Sequence, residues 1–573
     1  MIYWTKMKGG VPVRPFTRSG LILLFMAAAL VFFIASFALR PRGVPLAVSP
    51  KMERRVLLLP LDSRPPCLDF VADLGRIAGV EIIAPPEDIL DYYTKPGDTA
   101  ALQRWTQENI AGCDYAILSV DQLLHGGLLA SREDQKTQAD ADALLAFLRE
   151  LHAAHPNVPL YAFHILPRLT PPDSINGREE RKSLMDYSRV TDRIDLQTMP
   201  APDDIADQQA LRAAIPVVSL HRYETLFENN TRLNQQLIDL AADGTLSRLV
   251  VGQDDGERYG IPNRERRRLL EILHQRRIGD DRVLFTHGAD EIAQTLLAAA
   301  EAKRNGFVPC ICLRYNDPAT PWRRLPYMAA DMETTAQEKI RLLGGVEVTD
   351  PTTADFVLYL SAHDTATLGR RRAAADEIKA LVGEGRAVAL VDLADHFLAE
   401  ETLLPFLIKN NTPLHALFAY AGWNTASNAI GTATAEATLI AAARRRARTA
   451  DDIRRLYAAQ FHFLDERFAE DYFYLKDIID GVNISLRKTG YIYVNDLDLD
   501  HNARWTNDMI QHAMNRRLAA FSSTTAFLTP IAIATPEGTI HLAVRCLTAE
   551  AWNPWPRTFE IRLRPKNIVE ERQ

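Results

Sequence analysis

The sequence predicts an α/β protein built mostly on parallel sheet, with a small antiparallel β module at its carboxyl end. Three observations carry this prediction. Short, continuous apolar runs of strand length recur along the chain, as in strands buried on both faces. Longer segments with helical spacing of apolar residues lie between them, and such alternation builds parallel sheets. Many of the apolar runs end in acidic, amide or glycine residues, as expected where strand ends open onto a ligand site.

Taken in order, residues 40–54 hold Pro41, Pro45 and Pro50 and read as a linker. The first strand, 56–61, ends at Asp62-Ser63-Arg64-Pro65-Pro66, and the second, 80–84, at Pro85-Pro86-Glu87-Asp88. A helix is expected over 99–111. Strand 115–120 follows and ends at Asp121-Gln122. In 139–152, Leu144, Leu145, Leu148 and Leu151 fall at helical spacing. Strand 160–166 ends at Pro167-Arg168, and 178–243 reads as helical with breaks near Pro200, Pro202 and Pro216. Leu249-Val250-Val251-Gly252-Gln253 is a buried strand opening into Asp254-Asp255-Gly256, with a helix from about Asn263. Strand 283–286 ends at His287-Gly288-Ala289-Asp290-Glu291, and strand 310–313 at Arg314-Tyr315-Asn316-Asp317-Pro318.

The alternation then repeats with similar words. Val346-Glu347-Val348 follows Gly344-Gly345 much as Val80-Glu81-Ile82 follows Gly79. Strand 356–360 ends at Ser361-Ala362-His363-Asp364 much as 115–120 ends at Asp121, and Asn316-Asp317-Pro318 stands where Asp62-Ser63-Arg64-Pro65 stood. Duplication and shared α/β grammar both explain this. Strand 388–391 ends at Asp392, and 417–420 ends at Ala421-Gly422-Trp423-Asn424-Thr425. Roughly ten parallel strands lie between 55 and 425. Eight could close a barrel, whereas the repeated grammar allows two doubly wound halves. The reading leans to a barrel-like arrangement for the first part. The expected organisation is a tail (1–20), a transmembrane anchor (21–39), the linker (40–54), a first α/β part with the main site (55–320), a second α/β part (321–450), a helical region (451–520) and the antiparallel module (521–573). In the last, strands are expected at 531–534, 540–544 and 558–563, with Pro536-Glu537-Gly538 as a turn.

From Leu21 to Leu39 the only polar residue is Ser36, a run long enough to cross a bilayer core. Basic residues flank it on both sides, so charge does not choose an orientation. A lone span before a large domain predicts an inner-membrane anchor with the domain outside the cytoplasm, although Ser36-Phe37-Ala38 is a tolerable cleavage site. The 573 residues carry a net charge of −7, so no global basic field suits nucleic acid, and no nucleic-acid partner is expected. Five cysteines at sparse spacing make neither a disulfide framework nor a zinc motif. No Walker loop or G-x-G-x-x-G is present, so no cofactor is expected.

Several motifs resemble one family. They are Pro60-Leu61-Asp62-Ser63-Arg64-Pro65, the stretch from Ser119 to Leu128, Gln253-Asp254-Asp255, Gly288-Ala289-Asp290-Glu291, Tyr315-Asn316-Asp317-Pro318, the stretch from Ala419 to Thr425, and Pro554-Trp555-Pro556-Arg557-Thr558-Phe559-Glu560. Together they resemble the bacterial family called domain of unknown function 4127. The resemblance spans 55–560. It implies that the polar strand ends belong to one unit and brings no activity with it.

The chemistry therefore rests on the residues. Two adjacent carboxylates at a strand end suit acid/base work. The first hypothesis is a glycoside hydrolase with Asp255 as general acid and Asp254 as the orienter of a substrate acetamido group. Asp62, Arg64, Asp121, Asp290, Glu291, Asn316, Asp317, Trp423 and Asn424 are the expected substrate-binding set, with Trp423 as a platform for a sugar ring. The second is a metal-dependent ester or amide hydrolase using His287, Asp290, His363 and Asp364 with Asp254, although no spacing matches a metal motif and no metal ligand is assigned. The third is a saccharide-binding envelope protein without catalysis.

Overall fold

The computed structural model describes residues 43–46, 48, 51–133, 136–175, 177–363, 368–491 and 496–572. The strands in order are β1 (Val44–Pro45), β2 (Arg54–Leu59), β3 (Val80–Ile83), β4 (Tyr115–Ser119), β5 (Leu160–Leu166), β6 (Arg248–Gln253), β7 (Val283–His287), β8 (Cys310–Tyr315), β9 (Val346–Val348), β10 (Phe356–His363), β11 (Val388–Ala394), β12 (Ala419–Ala421), β13 (Ile531–Thr535), β14 (Gly538–Trp552) and β15 (Arg562–Arg572). Residues 21–39, read as an anchor, lie outside the described residues. Among the described residues no helix is long and apolar enough to cross a membrane.

The barrel-like expectation is corrected. The first parallel sheet is open, with six strands in the order β3-β2-β4-β5-β6-β7, and β3 and β7 stay at its edges. A second parallel sheet has the order β9-β8-β10-β11-β12. Numbered from its own first strand, each sheet starts 2-1-3-4-5, so both are doubly wound with the same connectivity. The repeated words of the sequence occupy matching places: β8 stands where β2 stands, β9 where β3 stands and β10 where β4 stands. β8, placed with the first part by the boundary at 320, pairs with β10 and β9 in the second sheet.

Helices bind the sheets together. The helix after β7, Ile292–Arg304, packs on the helix after β12, Ala426–Arg446, and both are buried over most of their length. Alanines on both, including Ala298, Ala302, Ala429 and Ala433, keep the axes close. Helix Asp69–Ala78 packs against both. One core therefore runs continuously from the first sheet through this helical layer into the second. Gly252 lets β6 approach it, because a Cβ there would fall 2.3 Å from Ile292.

The three helices Arg178–Leu196, Pro202–Ala214 and Val217–Ala242 are separated where the prolines predicted breaks. The aromatic-rich region holds helices Ala450–Arg467, Ile479–Lys488 and Ala503–Phe521, with a π-helical stretch at Phe468–Ile478. The carboxyl-terminal sheet is antiparallel, in the order β1-β15-β14-β13, so part of the linker joins it as an edge strand. The strand expected at 558–563 forms later, as β15. Asn553 takes the Glu560 carbonyl, and the Thr558 hydroxyl donates to Asn483, so 553–560 is a folded loop instead.

A fully buried ion pair links the layers. Lys339, on helix Met332–Leu342, pairs with Glu291 and donates to Thr286 Oγ1 at 2.8 Å and to the His287 carbonyl at 2.5 Å. Lys339→Met leaves the Glu291 charge buried and alone. We expect a loss of about 3–5 kcal/mol in denaturant unfolding of the chain, since removing one partner costs far more than the intact pair contributes. An unchanged midpoint would refute this.

Candidate active site

The carboxyl ends of β2, β5, β6 and β7 open onto a cleft of about 560 Å³, bounded across from them by Phe397, Asn424 and Asn428 of the second α/β part and by Arg557 and Phe559 of the carboxyl-terminal module. Strand β6 brings Asp254 and Asp255 to the cleft as soon as its hydrogen bonding ends at Gln253. The two neighbours then meet different surroundings. Asp254 is buried, and its Oδ2 accepts from Arg132 Nε at 3.1 Å and Nη2 at 2.5 Å, while Oδ1 accepts the Asp255 amide at 2.8 Å. Burial opposes the charge of Asp254, but Arg132 and Arg168 outweigh it and hold the carboxyl below its ordinary range. Asp255 is half-buried and lines the cleft, and no hydrogen bond ties its carboxyl among the described residues. Burial, together with the neighbouring Asp254 charge, pushes it up to about 7.

Asp290 enters from the loop after β7. Its Oδ1 accepts from Arg64 Nη2 at 2.6 Å. Its Oδ2 accepts from Arg64 Nη1 at 3.3 Å, Asn424 at 3.2 Å and Asn428 at 3.4 Å. Burial and the charges of Asp62 and Asp254, set against Arg64, bring it up to about 6. Arg64 also grips Asp62, with Nη2 at 2.6 Å from Oδ2. Asn424 sits at φ 47°, a left-handed conformation that asparagine tolerates better than most residues, and so turns its amide to Asp290.

The structure thus gathers Asp254, Asp255, Asp290, Arg64 and Asn424 from the expected set, with Asp62 behind Arg64. It does not bring the others to the cleft. Asp121 is fully buried, where its Oδ2 accepts the Ile165 amide at 3.1 Å and braces β5. Glu291 is buried against Lys339. Asn316 and Asp317 organise the turn after β8, Asn316 by accepting the Ala362 amide at 3.0 Å and Asp317 by accepting the Ala319 amide at 2.8 Å. Trp423 is only 3% exposed, donates to Thr432 Oγ1 at 3.1 Å and meets Phe70 edge-on, so it packs in the core and is no sugar platform. Arg132, Arg168, Asn428 and Arg557 also line the cleft, outside the substrate-binding set expected from the sequence. Arg557 lay inside a family motif, which was a usable signal.

For metal ions, His287 lines the cleft, but its Nδ1 pairs with Glu338 at 2.8 Å and Arg266 lies against its ring. The His363 side chain and Asp364 lie outside the described residues. Asp62, Cys67 and Asp290 place donor atoms within 4.8 Å of one another. This trio does not suit a cation, because Arg64 already supplies the positive charge and burial pushes the Cys67 thiol up.

The family model described as Protein of unknown function (DUF4127) matches residues 56–564. The chain belongs to that family. No curated protein and no solved structure matches it. In this DUF4127 chain the matched span holds all but the first two residues of the parallel sheets and most of the carboxyl-terminal module, including every residue of the cleft named above.

The raised carboxyl of Asp255 has a consequence for stability. The folded state holds its proton up to about pH 7, whereas an unfolded aspartate loses it near its ordinary value of 3.8. Between these limits the folded state binds more protons, so its stability falls as pH rises through the window. Asp255→Asn removes that penalty. We expect it to stabilise the protein by up to about 4 kcal/mol at about pH 8 and to change little near pH 4. Thermal melts across pH check this, and a gain that does not grow with pH would contradict it.

Proposed function

We propose that the cleft is the active site of a hydrolase of the glycoside hydrolase type. One observation carries the reading: two adjacent carboxyls at one strand end are biased to opposite protonation states, Asp254 clamped as a carboxylate by Arg132 and Asp255 open to the cleft and raised to about 7. Glycosidic cleavage needs a carboxyl group that still holds its proton near neutral pH beside a second, ionised group. Asp255 is the general acid that protonates the leaving oxygen. Both oxygens of Asp254 are occupied by Arg132 and a backbone amide, so its role shifts from orienting the substrate to keeping the proton on Asp255. Asp290 is the second carboxyl in the same cleft, fixed by Arg64, Asn424 and Asn428, and able to act as base or charge stabiliser once ionised.

In this reading 21–39 anchors the protein in the inner membrane and the cleft faces the envelope, where saccharide polymers are accessible. Protease added to intact spheroplasts should then remove a carboxyl-terminal tag. A tag that survives would place the domain inside.

A screen of the full chain against envelope glycans and chromogenic glycosides tests the activity. Asp255→Asn should lower kcat by at least about a hundredfold, in line with loss of a general acid, with the fold retained. The wild-type rate should fall as pH rises through about 7, where Asp255 loses its proton. A variant as active as the wild type would remove Asp255 from the chemistry.

A further inference from the structure

The guanidiniums of the cleft are unequally paired. Five guanidiniums line it: Arg64, Arg132, Arg168, Arg181 and Arg557. Three have close, buried partners. Arg64 holds Asp62 and Asp290, Arg132 holds Asp254, and Arg557 pairs with Glu560. Arg168 and Arg181 are left to share a single acid, Asp173, through the same oxygen, at 3.5 and 3.1 Å. The Asp173 side chain is 69% exposed, and a solvated partner of that kind contributes little.

Arg168 itself is only 19% exposed, and its Nε is buried with no hydrogen-bond partner. Burial and repulsion from Arg132 outweigh the pull of Asp254, Asp173 and Asp255 and bring it down to about 10. Its position is fixed beside the acid, because the amide of the next residue, Leu169, donates to the Asp255 carbonyl at 3.2 Å. A largely buried guanidinium that lines a cleft with an unpartnered Nε and only a long bond to a solvent-exposed acid is a preformed seat for a planar or tetrahedral oxyanion, which it can grip through two parallel hydrogen bonds.

We infer that the substrate carries an oxyanion group, a carboxylate or a phosphate, that docks on Arg168 next to Asp255. In terms of the proposed activity, which this inference builds on, the substrate is an acidic saccharide. The anion completes the pairing of Arg168 and holds the sugar with its scissile bond toward Asp255.

The test is calorimetric titration of the full chain with a methyl hexuronide, a hexose 6-phosphate and the matching neutral methyl hexoside. Inorganic phosphate and acetate are titrated as bare oxyanions. We expect at least one acidic sugar to bind about tenfold or more tighter than the neutral one. The better of the two identifies the anion as carboxylate or phosphate. Arg168→Met should erase the preference, and Arg168→Lys, which keeps the charge without the fork, should restore part of it. Asp255→Asn should keep the preference, because it removes the acid and not the anion seat. Acidic and neutral sugars binding equally would overturn the inference while leaving the saccharide reading standing. Phosphate or acetate binding that depends on Arg168, with no sugar bound, would uphold the anion seat and overturn the saccharide reading. A preference that survives Arg168→Met, or no binding of any of these probes, would overturn the inference.

Discussion

Arg64 is the constraint on which the rest of the arrangement depends. It lies just past β2 yet bonds to Asp290 past β7, and three strands stand between β2 and β7 in the sheet. Around it meet Asp62 from the first sheet, Asn424 and Asn428 bound to Asp290 from the second α/β part, and Trp555 from the carboxyl-terminal module. Trp555 in turn donates to Ser63 Oγ at 2.9 Å. A buried guanidinium with two carboxylates is tolerated only when its hydrogen bonds are nearly complete, and this one uses Nε, Nη1 and Nη2. The geometry that satisfies it also fixes the relative position of the three modules at the cleft.

The two sheets explain why the cleft lies where it does. Parallel strands with shared connectivity present all their carboxyl ends on one edge, and each edge ends in polar loops. The alanine-rich helices between the sheets bring β12 near the rim of the first sheet, so that Asn424 reaches Asp290. The second sheet therefore contributes amides and an aromatic wall to the cleft, whereas the acids come from the first.

Asp254 and Asp255 show how one residue of separation produces opposite chemistry. Both side chains reach the cleft just past the strand, but Arg132 grips the first carboxyl, while no hydrogen bond ties the second among the described residues. Each carboxyl then responds to the local balance of burial and charge. Arg132 wins at Asp254, and the resulting charge makes ionisation of Asp255 harder. This coupling between neighbours has the form expected of an acid prepared to hold its proton near neutrality.

The sequence by itself determined the α/β class, the parallel strands, the helix breaks at Pro200, Pro202 and Pro216, the family, and the acidic strand end at Asp254-Asp255. These are legible because burial on both faces leaves continuous apolar runs, and proline and glycine act locally. Closure of the first sheet was not legible, because open and closed parallel sheets use the same strand pattern. Nor was the division of the polar strand ends into those that face the cleft and those that brace the core. Asp121, Glu291, Asn316, Asp317 and Trp423 have site-like sequence contexts, yet each is claimed by a partner distant along the chain or within its own turn. Only the tertiary structure decided which acids are paired. The charge partner that sets a carboxyl's protonation, as Arg132 does for Asp254 across 122 positions, is chosen by folding in space and leaves no spacing in the sequence.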